Sequence, residues 1–451
     1  MSLYAAAFRH LLLPAYEGLR GRHTLRHLRE YEASQWLDPE QIAALQWRKL
    51  GALVAHCWQH VPFYRQRWQA IGFEPGDLKS MADWARLPLL DKDAIRAGFE
   101  DLKAAPFRDR LMFKATGGST GVPLRFGFTR ESNDRRTAVM WRGYGWAGAQ
   151  PGRRVAMLWG GAVGSPSLRT RVKDALYHRA FNRRGLDSFR MREDNLASYA
   201  STLRSWRPHA VVGYTGPLVR LAQWLVDNGQ AVRGPRAVLA AAEALHDFQR
   251  PVLEAAFPDA RAFNTYGCRE FMLIASECGA HDGLHVNADH LVVELVQPTA
   301  LAGGGEGGQV AVTDLHNWGM PLLRYVNGDL AVAGPSARCA CGRGLPRLAG
   351  IQGRRLDAIR TPDGRLLPGE FFPHLLKDIP GIRRFQVVQE ELAALTLSIV
   401  PGPDFDAAQQ ARVRAEVGRV LGTAIRLELN LVEDIPLTPS GKFRVTVSRL
   451  P

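Results

Sequence analysis

A chain of 451 residues with 46% apolar and 23% charged residues has the balance of a folded globular protein, which excludes global disorder, and it is long enough for at least two cores. The formal charge is +14, from 58 basic and 44 acidic residues, and only eight of the bases are Lys. The Arg residues are scattered, and neither Cys/His fingers nor an aromatic-rich RNA-binding strand accompanies them, so no nucleic-acid partner is expected; Arg in excess suits phosphate and carboxylate.

No apolar run reaches 18 residues, so no transmembrane segment is expected. The Leu run at 11–13 is flanked by Arg9, His10, Arg20 and Arg22 and is too short for a leader core, which points to the cytoplasm. A basic amphipathic helix there allows weak contact with a membrane surface, with packing on the body as the ordinary alternative. Five Cys, at 57, 268, 278, 339 and 341, are too sparse for a disulfide framework and fit a reducing compartment. A monomer or homodimer is expected.

Along the chain, residues 1–100 read as mostly helical, with helical apolar spacing over 41–59 and Asp91 as an N-cap. A strand follows at 124–128 and a helix at 131–146. Strands at 154–159, 209–213, 237–242 and 260–264 then alternate with helices at 195–206, 217–227 and 248–257. That alternation predicts α/β units and a mostly parallel sheet. From 285 the pattern turns to strands, at 285–297, 308–315 and 322–325, read as a β-rich subdomain closing the large domain. The last unit has strands at 382–388, 393–400 and 425–431 and a helix at 405–422, giving a small α+β domain. The expected division is a helical region 1–100, a large domain 101–352 and a small lid domain 353–451.

Five short stretches carry chemistry. Thr116, Gly117, Gly118, Ser119, Thr120 and Gly121 form a run in which main-chain N–H groups and hydroxyls can converge on an anion. No Gly-Lys-Ser/Thr ends it, so it is not a Walker A loop. Tyr266-Gly267-Cys268-Arg269-Glu270 follows a strand, offering a flat ring and a carboxylate able to hold Mg²⁺. Asp329 follows Gly328 at another strand end, where a carboxylate can accept ribose hydroxyls. Gly353-Arg354-Arg355-Leu356-Asp357 lies at the domain junction, and Lys442 sits in a Pro/Ser/Gly loop near the C-terminus. Each stretch is weak alone. Cys339-x-Cys341 can turn two thiolates onto one ion, with Cys278 and His285 (or His281) completing a tetrahedral set; three reduced, buried cysteines are the alternative.

In this order the five stretches resemble the signature set of the acyl-adenylate-forming superfamily. They resemble, in turn, its phosphate loop, its Tyr-Gly-x-Thr-Glu motif, its ribose Asp, its Gly-Arg-x-Asp-Asp hinge and its C-terminal catalytic lysine. The resemblance narrows to the phenylacetate-CoA ligase branch with its capsule-biosynthesis proteins. That narrowing rests on Val61-Pro62-Phe63-Tyr64-Arg65, on Leu87-Pro88 with Lys92 and Arg96, on Glu277-Cys278 with Gly283-Leu284-His285, and on Cys339-Ala340-Cys341-Gly342-Arg343. It covers nearly the whole chain. The chain departs from the motifs at Arg269, where the superfamily has Thr, at Leu124, where the phosphate loop usually ends in Lys, and at Leu356, where the hinge has its first Asp.

The resemblance implies a large α/β domain with a mobile C-terminal lid, and activation of a carboxylic acid with ATP followed by acyl transfer, most simply to CoA. It implies Lys442 and Glu270 as catalytic, with Glu270 on Mg²⁺. It further implies the loop residues 116–121, Glu243, Tyr266, Arg269, Asp329 and Arg354 as nucleotide contacts, and a structural zinc ion on Cys278, His285, Cys339 and Cys341. Two other functions fit the same residues. One is an adenylyltransferase or an amine- or carrier-directed ligase; the other is a non-catalytic binding protein of an envelope polysaccharide pathway. The aromatic residues Trp141, Trp146, Trp159, Tyr214 and Phe271 are expected to line the acid pocket.

Overall fold

A computed structural model gives the protein's structure for residues 3–116, 124–160, 168–243, 245, 247–300, 306–352, 359–362, 366–367, 371–376, 378–422, 425–435 and 445–450. Up to residue 100 the chain is helical, as its apolar spacing predicts. The longest of these helices, Pro39–His60, starts from a capping box in which Asp38 accepts from Gln41 N–H, and it buries Ile42, Leu50, Leu53, Val54 and Cys57.

Nineteen strands are assigned among the described residues. β1 (Met112–Ala115) and β2 (Arg125–Phe128) form an antiparallel hairpin with Ala115 opposite Arg125. The main sheet takes β3 (Val155–Trp159), β4 (Arg183–Asp187), β5 (Ala210–Tyr214), β6 (Ala237–Ala241), β7 (Arg261–Tyr266), β8 (Ala275–Glu277), β9 (Leu284–Val286), β10 (Leu291–Ala300), β11 (Glu306–Asp314), β12 (Tyr325–Ala333) and β13 (Arg347–Gln352). Its eleven strands run in the order β10-β11-β12-β13-β9-β8-β7-β6-β5-β3-β4. β3 to β7 are parallel, and β5 and β6 are buried along their whole length because helices cover both faces. From β7 onward the pairings are antiparallel. The β-rich region therefore extends the parallel sheet and is not a subdomain apart from it.

The C-terminal part holds a small pair, β14 (Ile359–Arg360) with β15 (Leu366–Leu367), and a four-stranded sheet of order β18-β17-β16-β19. That sheet comprises β16 (Ile382–Glu391), β17 (Ala394–Pro401), β18 (Arg426–Leu431) and β19 (Thr446–Ser448), backed by the helix Ala407–Leu421. The expected division at 353 falls beside residues 353–358, outside the described residues.

Three sequence expectations change. The strand expected over 285–297 is two strands, because residues 287–290 turn. The turn brings Asp289 under Arg142, where Nη1 meets Oδ2 at 2.5 Å and Nη2 meets Oδ1 at 2.9 Å, both residues being fully buried. The strand expected at 322–325 begins only at Tyr325, since Arg324 adopts φ 51°. The helix Leu168–Ala180 and β4 were not anticipated; a largely exposed helix carries no apolar stripe to read.

The N-terminal helices are clasped to the sheet by residues of the sequence's conspicuous motifs. Tyr64 hydroxyl donates to Pro321 O and accepts from Leu323 N–H, both at 2.9 Å. Arg324 donates to the carbonyls of Ala85 and Leu87 and pairs with Glu294, which also accepts from Trp84 Nε1 at 2.9 Å. Arg142 also donates to Tyr31 O and Asn287 Oδ1, so helices, sheet and the 287–290 turn share one buried charge pair. Removing one partner strands the other charge in the interior. Arg142→Met is expected to cost about 3–5 kcal/mol in denaturant unfolding, and Arg142→Met/Asp289→Leu to regain most of it; equal loss in both variants would remove the pair from this role.

Candidate active site

Parallel strands deliver their C-terminal ends to one edge of a sheet. Here those ends are Trp159, Tyr214, Ala241 and Tyr266. The residues after them, Thr215–Gly216, Glu243 and 267–270, therefore share that edge.

At the end of β7 the chain makes a tight turn. Met272 N–H donates to Cys268 O at 2.7 Å and Met272 adopts φ 66°. A Cβ at Gly267 would collide with the Met272 carbonyl oxygen, so only Gly fits. The turn buries Glu270, whose Oε1 accepts from Tyr325 hydroxyl at 2.9 Å. Tyr266 hydroxyl donates to Asp329 Oδ2 at 3.0 Å and accepts from Asn327 Nδ2 at 2.7 Å. Asn327 Oδ1 in turn accepts from Asp329 N–H at 3.0 Å. Burial, then the Asp329 charge, push the Tyr266 phenol well up, so it remains a donor. Tyr266, Asn327 and Asp329 thus form one linked group across β7 and β12, with Glu270 bonded to Tyr325 at the start of β12.

The hairpin β1–β2 carries the glycine-rich stretch between its strands. Gly117, Gly118, Ser119, Thr120 and Gly121 lie outside the described residues, as do Arg354 and Lys442. Thr116 is described and buried. Its N–H donates to Leu124 O at 2.8 Å, and its hydroxyl accepts from Leu124 N–H at 3.0 Å. Leu124 has no exposed surface and belongs to the main core, which gives an apolar residue its place there.

Two cations that sequence reasoning missed stand beside this hairpin. Lys114 Nζ lies 4.7 Å from the Phe128 ring centroid and Arg136 Cζ lies 5.1 Å from the same ring. Arg136 is buried in the helix Arg130–Trp146 and donates through Nη2 to Arg269 O at 2.8 Å. Burial, with the charges of Arg136 and Arg269, pushes Lys114 down to about 8. Arg125 stacks on Phe113 at 4.4 Å. Strand residues alternate faces, so Phe113 and its partner lie on the side of the hairpin opposite Lys114. The signal for Lys114 was its rarity: it is one of eight Lys and sits two residues before the loop. A buried Arg in mid-helix gave none.

Glu243 stands at the expected edge, with Oε2 accepting from Gly216 N–H at 2.7 Å at the start of the helix Thr215–Asp227, and burial raises its carboxyl. Arg269 is exposed on the turn. The expected aromatic lining does not converge. Trp159 stacks on Tyr214 at 4.5 Å, with Phe189 beyond at 6.2 Å, at the strand-end edge. Trp141 packs in the N-terminal core, Trp146 meets the His285 ring, and Phe271 meets Tyr325. Burial pushes the Cys268 thiol well up, consistent with packing.

Away from this edge, Cys278, His285, Cys339 and Cys341 place all their donor atoms within 4.8 Å of one another. Cys278 Sγ and Cys339 Sγ are 3.8 Å apart, and Cys341 Sγ is 3.3 Å from His285 Nε2. A tetrahedral ion with metal–sulfur bonds of about 2.3 Å separates two sulfurs by about 3.8 Å. His285 Nδ1 faces Leu345 O at 3.0 Å, which leaves Nε2 as the lone-pair nitrogen. His281, the other sequence candidate, instead meets Glu277 Oε2 at 3.5 Å.

Residues 359–449 match the CapK C-terminal domain. The chain is 26% identical over 361 residues to a phenylacetate-coenzyme A ligase of Thermus thermophilus, covering 78% of this chain and 79% of that one. It is 24% identical over 375 residues to the protein CapK of Staphylococcus aureus, covering 82% and 81%. Over about four fifths of its length the chain is thus similar to phenylacetate-coenzyme A ligases and to CapK. The fold agrees: the crystal structure of 2-hydroxyisobutyryl-CoA ligase with 2-HIB-AMP and CoA in the thioesterification state superposes with a TM-score of 0.60 over 92% of this chain and 91% of that one, at 22% identity.

One of the chain's departures from the motifs takes on physical meaning. Leu124 is a core residue closing the hairpin neck, and Lys114 and Arg136 stand beside Phe128 as cations. Leu356 lies outside the described residues.

Proposed function

We propose that the chain activates a carboxylic acid with ATP as an acyl-adenylate, releases pyrophosphate, and passes the acyl group to CoA. The observation that carries this reading is the linked group Tyr266–Asp329–Asn327 beside Glu270, at the C-terminal edge of the parallel strands. Asp329 would accept from the ribose hydroxyls, and Tyr266, held by Asp329 and Asn327, would present its ring to the adenine. Glu243, Arg269 and Arg354 would complete the nucleotide contacts. A buried oxygen donor such as Glu270 suits Mg²⁺, which would supply charge neutralisation on the phosphates.

In the first step a substrate carboxylate oxygen attacks the α-phosphorus. The new acyl–O–P bond forms as the bond to the β-phosphate oxygen breaks, and pyrophosphate leaves with the electron pair. Charge on the phosphoryl oxygens grows in this step, so fixed donors do most of the work. The loop 116–121 would hold the phosphates, Lys114 and Arg136 would supply charge from the hairpin, and Lys442 would bridge the acyl carboxylate and α-phosphate. In the second step the thiol of CoA attacks the acyl carbon and AMP leaves.

The burial of Leu124 supports catalysis over a non-catalytic binding role, because that departure has a packing reason. ATP–pyrophosphate exchange across aryl and fatty acids tests the reading and finds the acid. A thioester product distinguishes CoA ligation from an AMP-ester-forming transferase, and no exchange with any acid would overturn the proposal.

Lys442→Ala is expected to slow adenylation by about 10²–10³-fold with ATP binding kept; unchanged pyrophosphate release would remove Lys442 from the step. A Lys held near pH 8 is charged below that value and neutral above it, so ATP affinity is expected to weaken as pH rises through about 8. Bound phosphate favours the ammonium and moves the midpoint upward. Lys114→Met should bind ATP more weakly and lose this dependence; an unchanged profile would exclude Lys114. The four thiol and imidazole donors support a structural zinc site remote from the chemistry. Elemental analysis should find about one zinc per chain and little in Cys339→Ser/Cys341→Ser; fewer than about one per ten chains in the parent protein would end that reading.

A further inference from the structure

The N-terminal rod Leu3–Ala7, Phe8–Leu12 and Leu13–Arg20 is continuous, its joints at Ala7, Leu12 and Leu13 all right-handed helical, with a π-turn in the middle. It buries Ala5, Phe8 and Leu13 against the body, yet its outer side is apolar too. Glu17 faces inward, is buried and accepts from Leu25 N–H at 2.9 Å. Leu3, Leu11, Leu12 and Leu19 face out, at 92%, 68%, 51% and 88% exposure. The wider π-turn brings these four onto one stripe of roughly 100°. Two of them, Leu11 and Leu12, stand next to each other in sequence, where an ordinary surface helix would carry charge.

The helix Leu168–Ala180 adjoins this rod. Tyr4 hydroxyl donates to Ala180 O at 2.7 Å, and the Phe8 ring meets Phe181 edge-on at 4.9 Å. This second helix exposes Val172 and Leu176, at 51% and 63%, with Lys173 and Arg179 beside them in sequence. The two helices thus present apolar residues side by side with bases among them.

Charge decides what covers the surface. Between residues 3 and 29 there are five Arg and one acid, the buried Glu17; Arg9, Arg22 and Arg26 pair with Glu32, Asp134 and Glu30 outside that span, and Arg20 and Arg29 stand exposed beside them. Arg20, Arg29, Lys173 and Arg179 are exposed, with Asp174 the acid of the second helix. A second copy of the chain would bring like charge to like charge. An anionic bilayer offers the opposite sign together with an apolar interior a few ångströms below it. We infer that the rod and the adjoining helix dock the protein on an anionic phospholipid membrane surface, with the outward leucines inserted at the headgroup boundary. The docked face is distinct from the strand-end edge that carries the candidate site.

The test is vesicle flotation with the full chain, using phosphatidylcholine vesicles with and without phosphatidylglycerol, at low and high salt. Binding is expected to the anionic vesicles, to weaken at high salt, and to fall at least about tenfold in Leu11→Asp/Leu19→Asp. Both leucines are exposed, so that variant should keep the parent's far-ultraviolet dichroism and unfolding midpoint. A second variant, Lys173→Glu/Arg179→Glu, should also bind less, through charge alone. No binding to anionic vesicles, or equal binding by the leucine variant, would overturn the inference. So would a parent dimer in light scattering that the leucine variant dissociates while vesicles bind nothing, since that result makes the face a self-association surface.

Discussion

The buried guanidinium of Arg136 joins the parts on which the candidate site depends. It lies over Phe126 and Phe128 of β2, bonds the carbonyl of Arg269, and belongs to the helix Arg130–Trp146. Burial lowers its pKa, while Asp314 and Glu270 favour its charge. A cation in such a place is costly unless its neighbours are arranged for it. The arrangement that satisfies Arg136 is the same one that brings the hairpin of β1 and β2 against the turn carrying Glu270. The β1–β2 hairpin and the turn carrying Glu270 are therefore held by one residue that belongs to neither.

A second layer of support comes from the N-terminal helices. The guanidinium of Arg324, five residues before Asp329, is committed to Ala85, Leu87 and Glu294. Its left-handed backbone ends one course of the chain and sets the start of β12, which carries Tyr325, Asn327 and Asp329. Tyr64 fixes the preceding residues. The helical region, far from the strand-end edge in sequence, thereby sets the register of the residues that face it.

Much of this was legible in the sequence. Buried parallel strands such as β5 and β6 are short apolar runs between helical patterns, and the order of the motif residues carried the resemblance to acyl-adenylate-forming enzymes. What was not legible has physical reasons. The break at 287–290 follows from polar residues that are buried: Asn287 and Asp289 leave the strand to meet Arg142, and no periodicity announces a long-range ion pair. Leu124 looked like a lost contact because its burial depends on a core assembled from distant segments. Lys114 and Arg136 acquire meaning only when Phe128 brings them together. The four ligand-type residues 278, 285, 339 and 341 were legible as a set because few other thiols compete, while their convergence needed the pairing of β9 with β8 and β13.

The Thr116–Leu124 neck has a consequence in chain entropy. Two hydrogen bonds and a buried leucine side chain bring together the ends of the segment they enclose. The cost of gathering those ends is met during folding, so on the proposed function the ATP phosphates would not have to meet it again. Because closure entropy grows only with the logarithm of length, a residue added to or lost from the enclosed segment changes that cost little. Replacing Leu124 by a polar side chain would instead open the neck itself and transfer the closure cost to the ligand.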